Sequence, residues 1–137
     1  MRITSRCEYG LRAMIYLARR ADETPAPLAE IAAGEALPTA FLERILARLR
    51  DGGLVATTRG ASGGYRLARE AGRISVGDIV TAIEGPLSLV GCLPDDEGCA
   101  RAKGCASKRV WRRLDDAITG ALDDISLDEL ATEAVAK

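Results

Sequence analysis

The 137-residue chain contains no histidine. That excludes His–carboxylate catalysis, His-ligated haem and the mixed Cys/His zinc patterns. Aromatic residues are scarce, at 4% of the chain against 47% hydrophobic residues. The core must therefore be Leu, Ile, Val and Ala, a composition that favours helices. No apolar run approaches the roughly 18 residues of a membrane span, so no membrane partner is expected. The opening MRITSRCEYG lacks a secretory apolar region, and the expectation is a cytoplasmic protein. Four cysteines in a cytosolic chain do not read as a disulfide framework.

What is present is unevenly spread. Residues 1–73 carry twelve Arg and eight acids, and residues 74–137 carry seven Lys or Arg and twelve acids. The resulting balances, +4 and −5, mark the first half as the part that faces an anion. The planar fork of Arg suits bidentate contacts to phosphate and guanine. A solvated surface is the plain alternative, and charge alone favours neither.

Arg6 to Arg20 has the spacing of an amphipathic helix. Cys7, Leu11, Met14, Ile15 and Ala18 fall on one face, and Ser5 is placed to cap the start. Cys7 on that face reads as a small core residue. Glu8 sits in the first turn, where the helix dipole favours negative charge. Leu28 to Gly34 predicts a second helix, and Gly34 to Pro38 a tight connection. Pro38 then opens a third helix that Gly52-Gly53 closes. Leu42, Ile45, Leu46 and Leu49 form its buried stripe. Thr39, Glu43, Arg44, Arg48 and Arg50 are left to the other faces, the first four as candidate DNA contacts. Two short helices joined this way are a helix-turn-helix pattern, the second helix entering the major groove. Leu54–Thr58 and Tyr65–Ala68 are β-prone runs around the tip Arg59–Gly64, which predicts a hairpin wing. Arg59 is placed to reach a narrow minor groove. Gly63 and Gly64 would let backbone approach phosphate closely.

Ser75 to Glu84 predicts a fourth helix, stopped by Gly85-Pro86. A long helix runs from Ser107 to about Ile125. Its stripe of Val110, Leu114, Ala117, Ile118, Ala121, Leu122 and Ile125 is more apolar surface than so small a domain can cover. A two-fold homodimer is the expected cover, with intramolecular burial as the alternative. Ser126 to Val135 predicts a short capping helix. The fold class is thus mainly α with a small β-hairpin wing. Residues 1–84 form the winged helix-turn-helix, 85–106 a cysteine-rich loop, and 107–137 the dimerisation helix and a C-terminal helix.

The loop carries the chemistry. Gly91 to Cys105, GCLPDDEGCARAKGC, gathers Cys92, Cys99 and Cys105 among glycines, a proline and charged residues. Buried structural cysteines would lie among apolar residues. A thiol switch would draw on Arg101, Lys103 and Lys108 to lower a thiol pKa. A metal site needs three thiolates and one more donor. The gaps of six and five residues are wider than a zinc knuckle's and suit an iron–sulfur cluster. Without histidine the fourth donor comes from Cys7, Glu8, Asp95, Asp96 or Glu97. Glu8, donated across the dimer, is favoured, because a hard carboxylate is the labile corner a switch requires. A cluster-free thiol switch and a zinc site remain the alternatives. No general base is visible, and the chain does not read as an enzyme.

These segments together resemble the IscR/NsrR-type family of bacterial winged-helix regulators. The likeness rests on MRITSRCEYGLRAMIYLA, LAEIAAGEALPTAFLERILARLRDGGLV, TTRGASGGYRLA, SVGDIVTAIEG and the three-cysteine loop followed by VWRRLDDAITGALDDISLDEL. It implies a cytoplasmic homodimer on palindromic operator DNA, with a cluster that senses oxidants, nitric oxide or iron–sulfur supply. It also implies operator discrimination at Glu43, with Thr39 and Arg44 beside it and Arg59 in the minor groove. Cys92, Cys99 and Cys105 match the family's cluster thiolates, and Glu8 matches the acidic ligand that some members take from the partner subunit. Other members use a histidine three residues past the last cysteine, where this chain has Lys108. The first cysteine gap is a residue longer than in several members. Two-iron and four-iron clusters both occur in the family.

Overall fold

The computed structural model describes residues 3–20, 24–86, 88 and 105–133. Among them are six α-helices, a two-stranded antiparallel sheet and one 3-10 turn. Helix α1 spans Ser5–Arg19 and lies at the centre. Its cap is Thr4 instead of Ser5: the Thr4 hydroxyl accepts the Cys7 N–H. The buried face is Cys7, Gly10, Ala13, Met14 and Leu17. Leu11, Ile15 and Ala18, expected inside, are half-buried at its flank. The small residues Gly10 and Ala13 explain the rotation, since they let neighbouring helices come close on that side.

Helices α2 (Leu28–Glu35) and α3 (Thr39–Asp51) follow. The turn between them is closed by Ala36 in the left-handed region, at φ 53°, while the Leu37 N–H bonds the Ala32 carbonyl at 2.9 Å. Gly34, the expected turn residue, is used differently: a Cβ there would meet the Tyr16 ring at 2.6 Å. Pro38 stands one residue before α3, its carbonyl accepting the Leu42 N–H. Leu42, Ile45, Leu46 and Leu49 are buried as the periodicity requires.

Strands β1 (Val55–Thr58) and β2 (Gly64–Leu67) pair with Val55 opposite Leu67 and Thr58 opposite Gly64. A third partner was not expected. Ala26 bridges to Tyr65 through two backbone hydrogen bonds of 2.8 Å. Pro25 and Pro27 flank Ala26 and bias it to extended backbone, which frees its N–H and carbonyl for this pairing.

After the 3-10 turn Ala71–Arg73, α4 covers Val76–Glu84. Ser75 and Asp78 form a full capping box at its start. Helix α5 runs Ala106–Asp123 and α6 Leu127–Thr132. Ser126 bridges back to Ser75, and Leu127 is fully buried in the common core. By contrast, α5 buries none of its own residues. Val110, Trp111 and Leu114 stand 58, 40 and 45% exposed along it, and Ile125, two residues past its end, is 38% exposed.

Candidate functional site

The outward face of α3 is built by default. Its four buried residues, Leu42, Ile45, Leu46 and Leu49, turn inward, and Thr39, Glu43 and Arg44 on the first two turns are exposed. Three side chains seat the helix that precedes it. Arg12 on α1 donates to the Glu35 carboxylate at 3.4 Å and to the Glu35 carbonyl. The Tyr16 hydroxyl donates to Glu30 at 2.8 Å, which raises the Tyr16 pKa, and Arg20 pairs with the same carboxylate. Exposed pairs of this kind add little stability. Their effect is orientation, since they register α2, and through its short turn α3, against α1.

Arg48 sits at the edge of the α3 face and its guanidinium is engaged within the protein. Nη1 donates to the Ile83 carbonyl at 2.8 Å. The two wing glycines also have an internal reason. A Cβ at Gly63 would come within 2.9 Å of the Arg59 carbonyl carbon, and one at Gly64 would strike the Ala26 backbone. Gly64 moreover has φ +151°, a region side-chain-bearing residues rarely enter. Both glycines are therefore explained by how the hairpin closes and docks on Ala26, before any phosphate is considered. Arg59 is exposed at the hairpin tip.

Cys92 and Cys99 lie outside the described residues, as do Asp95, Asp96 and Glu97. Cys105 is described: it is half-buried and occupies the N-cap position of α5, its Sγ 3.2 Å from the Ser107 hydroxyl. A helix N-terminus stabilises a thiolate. Glu8 is exposed on the first turn of α1. Cys7 is buried, only 4% exposed. Burial first, and then the nearby Glu84 carboxylate, raise its thiol pKa, against smaller opposite effects of Thr4 and Arg6. Of the two donors on α1, Glu8 is thus the accessible one. Among the described residues no group of three or more potential ligands converges.

A winged helix with this element order has relatives. The family model for Rrf2, an iron-dependent transcriptional regulator, matches residues 3–133.

This chain belongs to the Rrf2 family.

It is 38% identical over 130 residues to the HTH-type transcriptional regulator IscR of Cronobacter sakazakii, covering 95% of this chain and 80% of that protein. Its fold is similar to that of CymR, the global cysteine regulator of B. subtilis, with a TM-score of 0.81 and 37% identity over 98% of this chain and 99% of that one. It is also similar to T. potens IscR, at a TM-score of 0.75 and 35% identity over 99% and 94%. The chain is thus an Rrf2-family transcriptional regulator and not an enzyme. No helix among the described residues is long and apolar enough to cross a membrane. Sequence reasoning had missed the Ala26 bridge, the engagement of Arg48 and the exposure of Trp111. The Pro-Ala-Pro string signalled the first. Helical spacing gives no signal for the second, because it reports a face and not the length of a side chain.

Proposed function

We propose that this Rrf2 regulator works as a homodimer on palindromic operator DNA, controlled by an iron–sulfur cluster on its cysteine loop. Cys92, Cys99 and Cys105 are the thiolate ligands, and the partner's Glu8 supplies the fourth. Thr39, Glu43 and Arg44 address the major groove, and Arg59 the minor groove. When bound, the cluster supplies reactivity towards oxidants or nitric oxide. The chain supplies an exposed carboxylate at Glu8 and a thiol at the dipole-stabilised start of α5. The carrying observation is the position of Cys105. It caps the one long helix that buries nothing of its own, so the loop's last thiol sits where the uncovered apolar face begins. A second copy of the chain covering that face would bring the loop beside the other subunit.

The test is anaerobic purification followed by iron and sulfide counts, visible spectra and binding to a duplex selected from a random pool. A brown or red protein that loses its absorption on Cys99→Ser supports the reading, and the counts distinguish two-iron from four-iron forms. Glu8→Ala should leave a cluster that forms but decays faster. A colourless protein that holds no iron, and whose duplex affinity changes with thiol oxidants, would instead be a cluster-free thiol switch. The likeness in fold to a global cysteine regulator makes that the second reading.

A further inference from the structure

The last turn of α4 is held by α1 and α3. Arg48 of α3 donates to the Ile83 carbonyl at 2.8 Å. That carbonyl belongs to the helix end, where intrahelical partners run out. One residue on, the Glu84 carboxylate accepts from the Thr4 hydroxyl and from Arg6 Nη2, the latter at 3.1 Å. Thr4 is itself the N-cap of α1. Between these polar grips the contact is close. A Cβ at Gly10 of α1 would strike the Ile83 side chain and come within 3.1 Å of Ile45 Cγ2 on α3. Three helices therefore meet at Ile83 with no slack, and close-packed contacts of that kind shift together. Glu84 is also the last helical residue before the chain leaves for the cysteine loop, and Cys92 follows eight positions later.

We propose that Ile83–Glu84 is the mechanical link between the cysteine loop and the recognition helix, with Arg48 and Glu84 as positioning residues. The inference rests on the proposed function, because it presumes that the loop has two states. A pull on residue 85 moves Glu84 against the start of α1 and carries the Ile83 carbonyl with it. Arg48 follows that carbonyl and re-seats α3. Arg48 then acts on DNA through the placement of Thr39, Glu43 and Arg44 and makes no contact of its own. The link has two discrete grips, so each can be cut alone.

The experiment compares Arg48→Met, which keeps the aliphatic stem without the donor, and Glu84→Gln, which keeps a hydrogen-bond acceptor without the charge. Affinity for the duplex selected from a random pool is measured with loaded protein and with protein stripped of iron, at the same series of salt concentrations. The readout is the ratio of the two affinities. If wild type has a ratio of one, the proposed function fails and the link falls with it. Where wild type discriminates, each variant is expected to keep its iron and sulfide, while its ratio contracts roughly fivefold or more. A wild-type ratio in both variants overturns the link, whatever their thermal stability. Equal weakening of both forms, with a salt slope reduced by about one, would make Arg48 a phosphate contact and overturn it too. Loss of the cluster from either variant would place the turn in the cluster's seat and not between the sites.

Discussion

Replacing Leu114 tests whether α5 meets a second copy. Leu114 is 45% exposed, and full burial of a leucine is worth about 1.5–3 kcal/mol. Covering its open part therefore contributes about 1 kcal/mol per copy. A two-fold interface buries the residue twice, so Leu114→Ala should weaken self-association by about 2 kcal/mol, or roughly thirtyfold in Kd. Leu114→Asp should do much more, since it would strand an unpaired carboxylate at an apolar contact. Sedimentation equilibrium across a wide concentration range reads both. The thermal transition of the isolated monomer should hardly move, because α5 contributes no buried residue to the chain's own core. An aspartate variant with the dimer constant of wild type would refute the reasoning. So would a variant whose core unfolds at markedly lower denaturant while self-association is untouched.

Two further outcomes follow from the wing. Arg59→Ala should weaken duplex binding and reduce its salt slope by about one, read by anisotropy at several salt concentrations; an unchanged slope removes Arg59 from the phosphate or groove contacts. Gly64→Ala forces a Cβ onto the Ala26 backbone at φ +151°. It should cost about 2 kcal/mol or more in chemical denaturation, and a neutral result would mean that the Ala26 bridge is dispensable.

The parts of this fold that repeat were legible in the chain. The stripe of Leu42, Ile45, Leu46 and Leu49 needed only a 3.6-residue period, and the hairpin only two β-prone runs about glycines. Ser75 with Asp78 declared its helix start by chemistry. The misses share one cause, which is that tertiary approach does not show in local spacing. Gly10 and Ala13 were not among the residues expected on the first helix's apolar face, and both are buried there. Gly34 looked like a turn and is a seat for Tyr16. Arg48 looked like one more outward cation, yet its length carries it to another helix's carbonyl. On the site, Thr39, Glu43, Arg44 and Arg59 are exposed as the spacing required, and Glu8 is open where Cys7 is not.

The small bridge at Ala26 has a consequence for how such a regulator can be tuned. Its paired hydrogen bonds fasten the hairpin to the chain entering α2. Hairpin and helix-turn-helix are thereby tied at a point outside α3, which limits how far either can adjust to DNA without the other. On the proposed palindrome, a signal that moved the two together would be felt as a change in the distance and phase between half-sites.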